Sequence, residues 1–331
     1  MHNFFGLDLG TSEVRVLQAE KEKTGFKIKH FARTGVSSGV EPEAIKAAMK
    51  EAKIKGSVEV NVALPESDVY ARIITTPKLS TTELSSSIQF EAEQYVPVPL
   101  EEVELYHQII SGGDEPDQTS MDVLLIAVTK TRLKQLTSLL DVAGLIPRSL
   151  ETELFSLHRV VGNPGKSQLV VSFGYKTTDM MVLNKSRPVF LHSFSSGGLA
   201  LTRALVNELS LSDEQAEQYK RTYGLREELL EGKVAKALVP LIDEVVTQIN
   251  KALVYVQQQG KYSQPEQVVM AGGGALLPGL TGYLVEKLNL EVVVADPFIG
   301  FVKDDDFSKL VTSEANPDLA TVVGLAIKGL V

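Results

Sequence analysis

A chain of 331 residues, 44% hydrophobic and 23% charged, has the length for about two domains and the composition to bury a sizeable core, which excludes a single small module and a disordered polymer. The absence of cysteine removes disulfides, thiolate metal sites and sulfur nucleophiles, and the five histidines, His2, His30, His107, His158 and His192, are too scattered for a paired-imidazole zinc site. A net charge of −9 with no basic patch argues against a nucleic-acid partner. No run reaches the roughly 18 to 20 apolar residues of a membrane helix, and the first residues lack a signal-peptide layout, so a cytosolic location is expected.

The opening segment FFGLDLGTSEVRVLQAE predicts two strands joined by a tight turn at Gly10, Thr11 and Ser12, with Val14 and Val16 alternating against Glu13 and Arg15. A third strand, FKIKHFART, follows Gly25; EPEAIKAAMKEAKI has helical spacing and VEVNVALP returns to strand. This βββαβ order is an α/β unit unlike the βαβ opening of a dinucleotide fold.

From Val69 the pattern changes. YARIITTP is a strand, Ser80 and Glu83 form a capping box, and Leu84, Ile88 and Ala92 continue one helical face until Pro97 and Pro99. EVELYHQII and DVLLIAV are strands separated by the polar stretch 112–120, and TRLKQLTSLLDVAG is a helix ending at Gly144. A βαββα inset over 70–146 results, whose two helices are expected to cover one face of its three-stranded sheet.

After a short strand, RSLE, and the helix TELFSLHRVV, the run QLVVSFGYKTTDMMVLNKSRPVFLHSF repeats the logic of the opening: strand, glycine-containing turn, strand, strand. Two sheets that each open with a hairpin can face one another across a cleft. Helices follow over 198–211 and 212–224, the second with a Ser212–Gln215 capping box, and then over 238–259, with Ile242, Val245, Val246, Ile249 and Leu253 as its buried face. The strand VVMA runs into Gly272, Gly273 and Gly274, followed by a helix TGYLVEKL, a strand EVVVAD and a terminal helix.

Phosphate binding needs backbone N–H groups converging on an anion, and glycine permits the close approach. The segment Asp8 to Ser12 qualifies: Asp8, ending a strand, is placed to hold a hydrated Mg²⁺ while the turn cradles phosphate oxygens and Arg15 points back at them; the alternative is a plain hairpin turn. The triple glycine also qualifies, since three glycines without packing value favour a backbone lying against a ligand over a loose joint. A P-loop is excluded because Val160 stands where Gly165-Lys166-Ser167 would need its first glycine, and GxGxxG fails at Leu277.

GLDLGTSEVRVL and MAGGGALLPGL resemble the first phosphate and adenosine segments of the actin, Hsp70 and sugar-kinase ATPases. Within that superfamily the inset and its FEAEQYVPVPLEEV string, with the following AGL turn, resemble the PilM family of type IV pilus assembly proteins over almost the whole chain. The resemblance implies an actin-like, duplicated α/β fold of two halves around an ATP cleft. Its expected divisions are 1–69 completed by 147–163 and the helix 317–331, the inset 70–146, a second half of 164–205 with 265–316, and a subdomain 206–264. It implies nucleotide contacts from Asp8, Gly10, Thr11, Ser12, Arg15, Gly174 and Gly272 to Gly274, and Mg²⁺ held through water at Asp8. Glu153 matches the acidic position that orders a water. Glu217 and Lys220 match a pair that contacts ribose and adenine, against the alternative of a solvated helix-surface ion pair.

One position departs from the family pattern: Ser172 stands where the second phosphate segment, ahead of Gly174, carries Asp. Loss of that charge predicts ATP binding with weak or absent hydrolysis, and Asp179 is read as too far along the next strand to replace it. The resemblance further implies an adaptor that binds the cytosolic N-terminal tail of a PilN-type membrane protein and links it to pilus motor ATPases, touching the membrane only through partners. The alternatives are a self-associating, FtsA-like filament former and a small-molecule kinase. FtsA would carry a basic amphipathic C-terminal helix, whereas TVVGLAIKGLV, with one lysine, predicts a packed one.

Overall fold

The computed structural model describes residues 4–36, 39–56, 58–112, 119–311 and 316–331. Three strands, β1 (Phe4–Leu9), β2 (Glu13–Glu22) and β3 (Gly25–Gly35), form an antiparallel meander, and α1 (Pro42–Glu51) carries the chain to β4 (Glu59–Leu64), parallel to β1. The inset follows: β5 (Val69–Pro77), α2 (Thr81–Tyr95), β6 (Val103–Ser111), β7 (Ser120–Thr129) and α3 (Lys130–Ala143). The chain returns through β8 (Ile146–Thr152), parallel to β4, and α4 (Glu153–Val161). The centre of the polar stretch between β6 and β7, 113–118, lies outside the described residues.

The second half repeats the plan. Its meander is β9 (Gln168–Phe173), β10 (Thr178–Asn184) and β11 (Arg187–Phe194); then come α5 (Gly198–Leu209), α6 (Asp213–Tyr223) and α7 (Lys233–Gln259). β12 (Gln267–Ala271) lies parallel to β9, and α8 (Leu280–Leu288) leads to β13 (Glu291–Val294). After α9 (Asp305–Leu310), which the sequence pattern does not predict, α10 (Ala320–Ile327) returns to the first half. The sheet orders are β3-β2-β1-β4-β8 and β11-β10-β9-β12-β13, so the repeat is one topology used twice.

Local chemistry accounts for the element ends. Both capping boxes are formed, Ser80 with Glu83 and Ser212 with Gln215, and Gly144 ends α3 in the left-handed region at φ 78°. Strands β1, β4 and β9 are buried almost throughout because helices cover both faces of their sheets. Against the first sheet, Phe5 and Leu7 join the core under α1 and α3, while Phe4 joins Val322, Val323 and Ala326 of α10. Helix α4 lies between the halves, with Leu154 and Leu157 packed with Val170 and Met181 of the second sheet and Ala320 of α10.

Two packing expectations are corrected. α2 alone supplies the inset's separate core, with Leu84, Ile88, Ala92 and Val96 on Met121, Val123 and Leu125; α3 buries Leu136, Leu140 and Ala143 in the core of the first half, against Ile45 and Ala48. The alternate residues of β7 point to the opposite face, so one strand serves both cores. In α7, which starts at Lys233, the buried stripe continues to Ala252 and Val256 and leaves Leu253 half-buried. Its 3.6-residue period rotates Leu253 toward the rim.

The inset also touches the second half. Asp122 on β7 accepts hydrogen bonds from Thr75 (2.6 Å) and Ser111 (3.0 Å) of its own sheet, and from Lys261 (3.2 Å) and Tyr262 (3.2 Å) beyond α7. A cavity of about 220 Å³, lined in part by Asn184, Pro188 and Val189, adjoins this contact. Among the described residues no helix is long and apolar enough to cross a membrane.

Candidate functional site

The site is built from turns that follow equivalent strands. Asp8, next to last in β1, is followed by the Gly10–Ser12 turn, and Ser172, next to last in β9, by the turn from Gly174 to Thr177. A side chain at Gly10 would meet the Glu13 carbonyl at 2.9 Å and Arg15 Nη1 at 3.2 Å, so the first turn tolerates only glycine without rearrangement. The Arg15 guanidinium donates to Asp8 at 3.0 Å and pairs with Glu13 at 2.9 Å, while its Nε is buried without a hydrogen-bond partner among the described residues. Burial pushes the Asp8 carboxyl up, and Arg15 pulls against it.

The second turn is stitched to the start of α5: Gly198 N–H donates to the Gly174 carbonyl (2.9 Å) and Leu199 N–H to that of Tyr175 (2.8 Å). Lys220 then fixes this junction from α6. Its ammonium donates to the Gly198 carbonyl (3.0 Å), Thr202 (2.8 Å) and Glu217 (2.6 Å). The pair is therefore no solvated surface bridge: Lys220 is 8% exposed, and its three donors are all used. Burial opposes the charge on Glu217, yet hydrogen bonds from Lys220 and Arg221 hold its carboxyl down to about 2.

The triple glycine closes the set, for reasons that differ by residue. Gly272 has φ +76°, and a side chain there would lie 2.5 Å from the Phe173 carbonyl oxygen; one at Gly274 would lie 2.5 Å from the Phe173 ring. These two glycines do have packing value, contrary to the sequence reading, because the turn after β12 lies directly on the end of β9. Gly273 alone of the three has no atom of the described residues within 4 Å of where a Cβ would stand. The Gly272 N–H donates to the Pro317 carbonyl (3.0 Å), and the next residue, Asp318, lies 4.0 Å from Arg15 and 3.2 Å from Arg33. The third turn is thus tied to the first.

Glu153, opening α4, stands among carboxyls. Burial raises it well above the usual range, and Asp8, Asp179 and Glu66 raise it further. Among the described residues no three His, Asp or Glu side chains converge as a metal-holding group. The residues fit a nucleotide: paired glycine turns, an unpartnered buried donor at Arg15 and open space at Gly273.

A sequence profile of the type IV pilus assembly protein PilM family matches residues 6–330. The chain belongs to the PilM family. A solved PilM-PilN type IV pilus biogenesis complex is similar in structure at a TM-score of 0.86, with 24% identity and 99% of each chain covered. MreB 5 of Spiroplasma citri bound to AMPPNP is similar at 0.54, with 14% identity over 99% of this chain and 96% of that one. The cell division protein FtsA of Streptococcus pneumoniae serotype 2 (strain D39 / NCTC 7466) is 23% identical over 99% of this chain and 83% of its own. The PilM-family chain accordingly has the actin-like ATPase fold, and its family places it in type IV pilus assembly.

The sequence of this PilM-family chain leaves unassigned two buried carboxyls that act on Glu153. Asp179 stands well along the strand after Ser172, yet it is the direct cross-strand neighbour of that residue. Glu66, buried at 6% exposure, accepts the Leu154 N–H at 3.0 Å at the start of α4. Burial pushes it up to about 7 from an ordinary 4.5, with Asp179 adding to the rise against the Leu154 hydrogen bond. Between those values the folded chain holds a proton that the unfolded chain has released, so stability falls as pH rises through this window. Thermal unfolding of wild type should lose about 3 kcal/mol on this account between about pH 4.5 and 7, and Glu66→Gln should flatten that slope. Equal slopes in both proteins would refute the assignment.

Proposed function

We propose that the chain is an ATP-binding adaptor of type IV pilus assembly. The observation that supports the nucleotide reading is that three glycine-marked turns from two halves of the chain are linked: Gly272 lies on Phe173, just ahead of the Gly174 turn, and bonds to Pro317, whose neighbour Asp318 reaches Arg15 beside the Gly10 turn. In this reading Asp8, Gly10, Thr11, Ser12, Arg15 and Gly174 face the phosphates, and Gly272 to Gly274 with Glu217 face the nucleoside. Lys220 supports that face through Gly198. Asp8 would hold Mg²⁺ through water, and the ion would supply charge neutralisation at the phosphates. Hydrolysis is slow in this reading, because the position two residues ahead of Gly174 carries the neutral hydroxyl of Ser172, and Glu153 is left to order a water.

The partner in this proposal is the N-terminal tail of a PilN-type membrane protein, docked between the inset and the first half, and the adaptor joins it to the pilus motor ATPases. The domain divisions expected from the sequence, with the inset as 70–146, belong to the same proposal. Exposed Val58, Val142 and Ile146 lie at this boundary and supply apolar anchors. Calorimetry should detect one ATP site in the presence of Mg²⁺ and one site for a PilN-type N-terminal peptide. Absence of heat with both ligands would overturn the adaptor reading, and ATP-dependent sedimentation would turn it toward the filament-forming alternative. Against membrane recruitment by the last helix, α10 is buried on every side rather than amphipathic.

A further inference from the structure

Strands β9 and β10 are antiparallel, with Ser172 directly opposite Asp179. Directly opposed residues of such a pair put their side chains on the same face of the sheet. In the first half Asp8 and Arg15 are opposed in the same way, in a sheet of the same strand order. Asp8-Leu9-Gly10 and Ser172-Phe173-Gly174 close their strands identically. Ser172 therefore takes in the second half the place of Asp8, and Asp179 takes the place of Arg15.

Asp179 is 2% exposed, and its oxygens accept from Ser193 (2.5 Å) and Thr177 (3.1 Å). Both partners are neutral hydroxyls, which donate or accept, so an amide could accept from one and donate to the other without burying a charge. No basic side chain among the described residues pairs with it, and the groups that feel its charge across the cleft are the carboxyls Glu153 and Glu66. On the first half's side, the Arg15 Nε is a buried donor still lacking an acceptor. A buried carboxylate without a cation, and near it a buried Arg15 N–H that has no acceptor although the guanidinium is paired with Asp8 and Glu13, leave one carboxylate and one donor for a metal-bound phosphate brought from outside.

We propose that Asp179 supplies from the neighbouring strand the carboxylate that Ser172 lacks, ordering a water of the Mg²⁺-bound nucleotide on the second half's side of the cleft. It is a positioning residue, and the assignment rests on the nucleotide reading above. Its separation from that strand's end explains why the charge can be kept while the residue ahead of Gly174 is neutral: the register returns it to the same place on the sheet.

The test is titration of a fluorescent ATP analogue with Mg²⁺ and, separately, with EDTA, using wild type, Asp179→Asn and the exchange Ser172→Asp with Asp179→Ser. Asp179→Asn should weaken binding about tenfold with Mg²⁺, the scale of one charge-assisted contact, and leave binding in EDTA unchanged or tighter. The exchange variant should regain most of the Mg²⁺ dependence. A purely structural role for Asp179 would lower both affinities together and the melting temperature with them. Undiminished Mg²⁺ dependence in Asp179→Asn, or equal losses in both buffers, would overturn the proposal while leaving nucleotide binding intact. No binding by wild type in either buffer would overturn the nucleotide reading itself, and Asp179's role with it.

Discussion

Gly273→Val is expected to lower ATP affinity by about 100-fold or more while leaving the melting temperature close to that of wild type. The two halves of this expectation have separate causes. No atom of the described residues lies within 4 Å of a Cβ position at residue 273 and its φ is not positive, so valine is expected to be accommodated there. The same open space is where the proposed nucleotide lies, and a branched side chain would fill it. The neighbouring glycines should behave in the opposite way. Gly272→Ala and Gly274→Ala would drive a methyl into the Phe173 carbonyl or ring and should lower stability first, with affinity following. Calorimetry paired with thermal unfolding separates these cases. Wild-type affinity in Gly273→Val would mean that the cleft's ligand, if any, does not approach this turn.

Gly324→Val should destabilise the chain by about 3 kcal/mol or more, the upper range for overpacking against rigid backbone. Here α10 crosses α4 so closely that a side chain at 324 would fall on the Ser156 carbonyl group. The contact is held by Ser156 donating to the Thr321 carbonyl (2.7 Å) and by Arg159, which bridges the Gly324 carbonyl (2.8 Å) and Glu151 (2.9 and 2.8 Å). Because α4 also lies between the two sheets, prising α10 away would loosen the joint between the halves as well as the first core. Urea unfolding would show this as a lower midpoint, and a midpoint unchanged from wild type would show that the helices do not cross this way in solution.

The packing of α3 into the first core bears on how the inset can be tested. Replacing 70–146 by a linker would remove Leu136, Leu140 and Ala143 from the first core together with the recognition surface. Loss of peptide binding in that deletion would therefore say nothing about docking, and substitutions at exposed Val142 and Ile146 are the informative change.

What could be read directly from the sequence was the chemistry that acts within a few residues. The capping boxes at Ser80 and Ser212, the turn at Gly10 and the left-handed Gly144 need only local geometry, and so does the alternation that marks β2. The two meanders, each a glycine turn between strands, were visible as a repeat, and with the inset string they pointed to the family. Tertiary structure decided which residues share a surface. Asp179 stands beside Ser172 because the β9–β10 register is set by the whole length of the paired strands, a property that distance along the chain does not convey. Gly272 and Gly274 answer to Phe173, a residue of another strand, while a side chain at Gly273 between them would meet no atom of the described residues within 4 Å. Helix α3 turns its apolar stripe to the first half rather than to its own sheet, and α10 closes on α4 from 165 positions away. A helical or strand period states that a face is buried, but the partner of that face is chosen by the packing of the entire chain.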